Sequence, residues 1–542
     1  MQSKSISNAE PHGKMPKGIP YIIGNEAAER FSYYGMKAIL AVFMTQYLFM
    51  SEGTSITWIH LFGMAVYFLP LFGALLSDMF LGKYKTIITL SIVYCLGHLV
   101  LAIFENQEGL AWGLALIAIG SGGIKPTVGS HVGDQFTTKN GHLLEKAFGY
   151  FYLAINVGAF ISALLTPWLL DVYGPHIAFG VPGLLMLIAT WVFWLGRDKY
   201  ITVEPVGFWP YIQQIFTPET AKILFRLSLV YFIFIAVFWS LYDQTMSTWV
   251  LQASRSLMDK TVDIGPWHFE VLPSQIQAIN AFFILTLTPL FAFVVYPLVN
   301  KLFPLSPLRK IGIGLFVTAL SFVVSGWIDA QMEAGQTVHF YWQVLAYFII
   351  TAGEVMVSIT ALEFAYTQAP LAIKSLIMAM YYIAITLGNG VTIIVNHAIL
   401  TPIEVESISA ATTGMHITVV DDKTIEEGHR IDLPKVKSIY QTNTNDEGEI
   451  DTTYLSGTFI AGKHDISSNQ LEILDIDGQA VVYQTLANHP AKLKEVTLDY
   501  NRYMGSAYYY FFVVLMLGAA VLFIPVAYFY KGKYYVNADR VE

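Results

Sequence analysis

Apolar residues along this chain do not alternate with polar ones; they gather into long runs broken by glycine, proline and charge. About 20 apolar residues at 1.5 Å rise cross a hydrocarbon layer of ~30 Å as a helix, whereas strands do not carry runs of that length. The pattern predicts helices near 21–49, 56–80, 85–104, 111–131, 146–169 and 176–197. A second set follows near 224–250, 274–299, 309–328, 340–366, 372–400 and 504–530. The expected fold class is an all-α polytopic membrane protein with 12 transmembrane helices in two six-helix halves.

Composition agrees: 55% of residues are hydrophobic, 13% are charged, and the mean hydropathy is +0.51. The first twenty residues are polar, with Lys4, Lys14 and Lys17 and no short apolar core before a cleavage site, so no removable signal peptide is expected. Cys95 is the single cysteine and lies in an apolar run, which excludes an intrachain disulfide and argues against thiolate metal chemistry. The absence of Asn-x-Ser/Thr favours a bacterial inner membrane over a glycosylated cell surface.

Basic residues fix the expected orientation. One set of alternate loops holds Lys83, Lys85, Lys139, Lys146, Arg197, Lys199, Lys222, Lys301, Arg309, Lys310 and Lys374; the opposite short loops hold Arg255 and Lys260. The first set is expected in the cytoplasm, together with the basic N-terminus and with Lys531, Lys533 and Arg540, so both termini are expected there. One segment departs from this pattern. Residues 401–500 carry 17 acidic against 7 basic side chains, a net of −10 within a chain of net −9. Short β-branched runs, such as Met415–Val420 and Gln479–Gln484, predict a small β-rich domain outside the cytoplasm whose acidity is a solvated surface.

Ionisable groups inside apolar spans are costly, so each marks a candidate site. In the first span Glu26, Glu29, Arg30, Tyr33 and Lys37 fall at i, i+3, i+4, i+7 and i+11 and share one helical face. Glu26 with Arg30 also admits a purely structural ion pair, but the whole stripe requires an aqueous cavity or charged neighbours. Lys125, Asp243 and Glu354 are further lone charges near mid-span. His60, early in the second span, is either a group that titrates near neutral pH or a satisfied interfacial histidine. Gly120-Ser-Gly-Gly-Ile-Lys-Pro126 predicts close helix approach and a bend beside Lys125. Gly73, Asp78, Gly82 and Lys83 combine a carboxylate, a glycine turn and a cation between the second and third spans, a pattern suited to a conformational latch. His-Glu-x-x-His, Gly-x-Ser-x-Gly and P-loop patterns are absent, so an enzyme is not expected.

Taken together, these residues resemble the proton-coupled oligopeptide transporters of the major facilitator superfamily. Glu26-x-x-Glu29-Arg30-Phe-x-Tyr-Tyr-Gly is similar to that family's first-helix signature, and Gly73…Asp78…Leu81-Gly82-Lys83 to the superfamily's loop between helices 2 and 3. Gly122-Gly-Ile-Lys-Pro126, Asp134-Gln-Phe136, Phe151-Tyr-Leu-Ala-Ile-Asn156, Pro273-Ser-Gln-Ile-Gln277, Gly353-Glu-Val-Met-Val-Ser358 and Leu362-Glu-Phe364 extend the likeness through the eleventh span.

The resemblance implies proton-driven uptake of di- and tripeptides by alternating access, with the proton as coupling ion and no cofactor. It implies that Arg30, Lys37 and Lys125 hold the peptide carboxylate and that Glu354, Asn156 and Asn280 hold its amino group. Tyr33, Tyr34 and Tyr67 would line the space between, with Ser358 and Tyr381 in the side-chain pocket. Lys37–Asp243 and Lys125–Glu354 would form and break during the cycle, and Glu26, Glu29, His60 and Glu354 would carry proton coupling. A ruler of fixed cations and a fixed carboxylate admits two or three residues, at about 3.3–3.6 Å each, and no long chain.

Some positions depart from the family. Tyr381 stands where a tryptophan is usual, Thr248 and Ala292 replace a charged pair of animal members, and the segment between the last two spans is not a usual family feature. The expected organisation is a tail (1–20), a six-helix bundle (21–197), a linker (198–223), helices 7–11 (224–400), the insert (401–503), helix 12 (504–530) and a second tail (531–542). The expected partners are a small peptide, protons and the lipid bilayer, with no nucleic acid, and the expected state is a monomer. A related symporter for another small anion or amino-acid conjugate, and a receptor or adhesion role through the insert, are the alternatives.

Overall fold

The first helix, α1, runs over Ile19–Val42 and is prolonged by a π-helical turn at Phe43–Tyr47. It is followed by α2 (Glu52–Leu81), α3 (Lys83–Ile103), α4 (Gln107–Asp134) and α5 (Leu144–Leu195). Then come α6 (Thr220–Ala253), α7 (Pro273–Leu302), α8 (Pro307–Glu333), α9 (Tyr341–Ala365), α10 (Lys374–Ile399) and α11 (Ser506–Phe529). This computed structural model describes residues 14–137, 140–205, 207–209, 217–368, 374–411, 414–419, 430–444, 450–465, 470–474, 484–485, 497–501 and 505–530. Among the described residues, 9 helices are long and apolar enough to cross a membrane, and α1 and α4, richer in charge and glycine, are additional to these. Lys4, Lys139, Lys531, Lys533, Arg540 and most of Gln479–Gln484 lie outside the described residues.

Helix boundaries differ from the expected ones in two informative places. The loop expected between 169 and 176 is reduced to one residue: α5 spans 52 residues and turns at Gly174, whose φ of 75° and ψ of −179° are non-helical. Glycine tolerates that positive φ, and Pro175 starts the second limb with its φ already set. In α6, the helix tightens to a 3-10 turn over Asp243–Met246 and breaks at Ser247 (φ −130°, ψ −87°), so its charged residue sits at an interruption rather than mid-helix. α4, by contrast, continues through Pro126.

Two large apolar cores divide the helices, beside a small cluster of Ile284, Leu287, Ala352 and Val355. One is built from residues between Ile19 and Tyr200, joined by Val250 and Leu251; the other is built from residues between Leu227 and Phe523. Within the first half, α2 and α4 approach until a Cβ at Gly73 would overlap the Gly122 carbonyl and the Gly123 Cα. Only glycine allows backbones this close. Hydrogen bonds joining the halves run from the middle of the bundle to the end that holds Glu52. Gln277 Nε2 donates to the Ala38 carbonyl (3.3 Å), Gln275 Nε2 to Leu164 O (2.8 Å), and Asn396 Nδ2 to Gly53 O and Thr57 Oγ1 (both 2.8 Å). A short parallel pair there, β1 (Met258–Asp259) with β4 (Val338–His339), and a hairpin of β2 (Thr261–Ile264) with β3 (Trp267–Glu270) close the loops.

The insert is β-rich, as its sequence predicts. β5 (Leu400–Ala411) follows α10 directly; β6 (Gly414–Val419), β7 (Arg430–Thr444), β8 (Ile450–Asp465), β9 (Gln470–Leu474), β10 (Gln484–Thr485) and β11 (Thr497–Asn501) complete it. Every pairing is antiparallel, in the order β10-β7-β11-β5-β6-β9-β8, and an added β7–β8 pairing closes six strands into a ring. Met415, Ile417, Ile431, Leu433, Leu471 and Ile473 are buried within it. Leu400 pairs with Asn501, so the chain leaves and re-enters α10 and α11 on neighbouring strands, about 5 Å apart. A short flexible linker replacing 401–503 can therefore join these helices without strain. Such a protein is expected to insert and to unfold within about 3 °C of the full chain, a difference of about 1 kcal/mol; thermal unfolding in detergent measures this, and a collapse of the midpoint would show that the bundle depends on the insert.

Candidate functional site

A cavity of about 930 Å³, counted to its open mouth, lies where the two halves meet. Tyr34 and Lys37 of α1, Tyr67 of α2 and Tyr152 and Asn156 of α5 form one wall; Trp239, Tyr242, Asp243, Asn280 and Glu354 form the other. Its cation and carboxylates thus come from different halves. Glu354 Oε2 accepts a hydrogen bond from Asn280 Nδ2 at 3.1 Å, and the same amide donates to Thr351 Oγ1 at 2.9 Å while its oxygen accepts from Tyr242 at 3.2 Å. A π-helical turn at Val355–Ile359 follows Glu354 immediately, a distortion frequent at functional positions. Asn156 donates to the Tyr152 carbonyl at 2.8 Å. Ser358 and Tyr381 hydrogen-bond each other at 2.7 Å, and the Tyr381 ring packs edge-on to Trp239, so this pair lies behind the tryptophan wall.

The charged stripe on α1 is resolved into three different environments. Arg30 Nε lies 2.8 Å from Glu26 Oε1 and 2.7 Å from Glu29 Oε2, all three buried, so two carboxylates clamp one guanidinium. Ser121 donates to the remaining Glu29 oxygen at 3.5 Å. Lys37 Nζ crosses to the other half, 3.3 Å from Asp243 Oδ1. Tyr33 turns to Lys125, whose ammonium sits 3.9 Å above the Tyr33 ring and 4.5 Å above the Tyr67 ring. Lys125 Nζ has no hydrogen-bond partner among the described residues. Lys125 and Glu354 are not paired in this arrangement: the aromatic faces attract the ammonium, while Glu354 is held by Asn280 on the opposite half.

His60 is fully buried between the halves rather than at a membrane interface. Its Nδ1 lies 2.7 Å from Asn389 Oδ1 and its Nε2 lies 3.0 Å from Ser247 Oγ, at the break in α6. Asn389 Nδ2 donates to Asp243 Oδ2 at 2.6 Å, so Ser247, His60, Asn389, Asp243 and Lys37 form one continuous polar chain. Sequence reasoning missed Asn389, Ser247, Tyr242 and Trp239. Asn389 carried a signal, as a lone amide flanked by glycines inside an apolar span. Of the residues between the second and third spans, Gly73 acts inside the helix pair, Gly82 turns the chain, and Lys83 Nζ pairs with Asp134 Oδ2 at 2.5 Å, rather than with Asp78, tying this turn to the end of α4.

Two helical halves facing one another across a charged cavity define a polytopic membrane protein of the major facilitator fold. Comparison with known proteins names the family: the model of the POT family matches residues 84–208 and 209–413, and the chain belongs to that family. It is 36% identical over 379 residues to "Peptide transporter family 1" of Drosophila melanogaster, covering 61% of this chain and 50% of that protein. It is 37% identical over 366 residues to human "Solute carrier family 15 member 2", covering 59% and 49%. The chain thus spans about half the length of the curated relatives it matches. A crystal structure of an auto-inhibited POT family peptide transporter superposes with a TM-score of 0.65 at 34% identity, covering 71% of this chain and 89% of that one.

Because Lys37 and Asp243 are only 3% and 5% exposed, removing one strands the other. Asp243→Asn alone is expected to cost about 3–5 kcal/mol of stability. Lys37→Met combined with Asp243→Asn should recover most of that loss; unfolding midpoints of the two single and the double variants would measure the coupling.

Proposed function

We propose that the chain carries di- and tripeptides together with protons by alternating access, through twelve crossings arranged as two six-helix halves. The observation that carries this reading is the cavity at the junction of the halves, with Lys37 on one wall and Glu354 with Asn280 on the other. A short zwitterion bridges such walls: its carboxylate meets Lys37 and Lys125, with Arg30 behind, and its amino group meets Glu354, Asn280 and Asn156. Tyr34 and Tyr67 line the space between. The lysine-rich end, with Lys83, Lys199 and Lys310, faces the cytoplasm and the Glu52 end faces outward. Family membership and the named relatives support this reading.

Coupling follows from competition for shared charges. Lys125, unpaired over its tyrosine rings, is available to a peptide carboxylate. A protonated Glu354 receives the peptide amino group's half of the site without binding Lys125. When Glu354 loses its proton toward the cytoplasm, its attraction for Lys125 competes with the peptide, so deprotonation and release are linked through one pair. The polar chain from His60 to Lys37 joins the same halves, so its rearrangement belongs to the same step.

In proteoliposomes with an inward proton gradient, labelled di- and tripeptides should accumulate, and a panel extended to other small anions and amino-acid conjugates separates the related symporter reading. Glu354→Gln, a permanent mimic of the protonated group, should accumulate less than about a tenth of the parent's peptide while retaining peptide exchange, which needs no net proton cycle. Undiminished accumulation by that variant would move the coupling role to Glu26 and Glu29.

A further inference from the structure

A second cavity, of about 1090 Å³ counted to its open mouth, lies wholly within the later half of the chain, between the last turns of α7, the start of α8 and the second part of α9. It shares no lining residue with the cavity between the halves. The two meet along helices. On α7, Ile284 lines the first and Thr288, one turn on, lines the second; on α9, Glu354 lines the first and Val355 the second.

The polar lining of this second cavity is Thr288, Tyr296, Asn300, Lys310, Thr360 and Glu363. Its neutral groups are engaged in the fold: Asn300 Oδ1 accepts from Leu305 N at 2.9 Å, which braces the turn between α7 and α8, and the Tyr296 hydroxyl donates to the Val355 carbonyl at 3.5 Å. Its two charges are not. Lys310 is half-buried, with its ammonium 4.3 Å above the Tyr296 ring, and Glu363 is exposed. Among the described residues neither takes part in an ion pair, with each other or with a third group. The neighbouring cation, Arg309, is held instead by the Pro304 carbonyl, to which Nη1 donates at 2.7 Å. Lys310 also stands at the start of α8, where the helix dipole disfavours a cation and favours an anion beside it.

We propose that this cavity is a second site, for a small zwitterion whose anionic group meets Lys310 and whose ammonium meets Glu363. A simple anion is repelled by Glu363 and a simple cation by Lys310, whereas a molecule carrying both charges satisfies both walls. Two sources have that chemistry: a short peptide that has left the first cavity, and the headgroup of an aminophospholipid such as phosphatidylethanolamine, with its phosphate and ammonium. Phe293, Leu298 and Leu302 stand exposed on the same stretch of α7, where acyl chains would run. The peptide source rests on the reading under Proposed function; the headgroup source does not. Either ligand lies against the π-helical turn Val355–Ile359, directly after Glu354, so its presence bears on how that carboxylate is held.

The test uses the purified full chain and two probes. Equilibrium dialysis with labelled dialanine, in detergent free of lipid, counts peptide sites; native mass spectrometry with added phosphatidylethanolamine or phosphatidylglycerol counts retained lipid. If the peptide is the source, the parent binds more than one dialanine per chain, and Lys310→Gln and Glu363→Gln each weaken the second site by roughly fivefold or more while the first is unchanged. If the headgroup is the source, the parent retains phosphatidylethanolamine and both variants lose it. Lys310→Arg, which keeps the charge, should bind as the parent does, and if Lys310→Gln does not insert, Glu363→Gln decides. Unchanged binding of both probes in the variants overturns the proposal and makes these charges solvated surface groups. Equal retention of phosphatidylglycerol, which lacks the ammonium, with sensitivity to Lys310→Gln alone also overturns it, because the site then takes a plain anion. One dialanine per chain, bound alike by parent and variants, with no lipid response, rejects the second site and leaves the transport reading standing. The expected lipid response in a chain that binds no dialanine does the reverse.

Discussion

Lys37 can sit inside an apolar helix only because Asp243 meets it from the other half of the protein. Both side chains are almost fully buried, with exposures of 3% and 5%, so the position of one half relative to the other is written into this contact. The same carboxylate accepts from Asn389, and Asn389 engages His60, which in turn reaches Ser247. One ion pair thus organises a polar seam through the middle of an otherwise apolar interface. The break of α6 over Asp243–Ser247 belongs to this arrangement, since it places a carboxylate and a hydroxyl of adjacent turns on two members of the chain.

On α1, neighbouring charges receive opposite treatment. Arg30 is locked between two carboxylates of its own helix, which makes it a local and permanent unit. Lys125 is stabilised by two aromatic faces, an attraction weaker and less directional than an ion pair, and is therefore the most loosely held of the three cations. Glu354 is held by a neutral amide whose other bonds lie within its own half. The site is thus built from one locked cation, one paired cation and one loosely held cation.

The β-rich insert obeys separate physics. Six of its seven described strands close on one another around buried Met415, Ile417, Ile431, Leu471 and Ile473, so this ring leaves no open edge. Because its first and last strands pair, it adds about a hundred residues to the chain while leaving α10 and α11 joined by adjacent backbone. That pairing accounts for how so large a segment can interrupt a helical membrane protein between two crossings.

The sequence by itself determined the class of the protein: apolar runs of spanning length dictate helices, and the charges within them mark the site, because both follow from local transfer free energies that depend on residue type alone. The face shared by Glu26, Glu29, Arg30 and Tyr33, the occurrence of Lys125, Asp243 and Glu354 inside apolar spans, and the β character of the acidic insert were all legible in this way. The tertiary structure alone decided which charges meet. His60 and Asn389 are 329 residues apart, and no periodicity relates them. Lys125 finds aromatic rings rather than Glu354, and Lys83 finds Asp134, because partners are selected by how the helices pack. The expected loop at 170–175 contracts to Gly174, because a single positive φ followed by proline redirects the chain from one helix into the next. Local chemistry specifies what must be buried; only the packed halves specify against what.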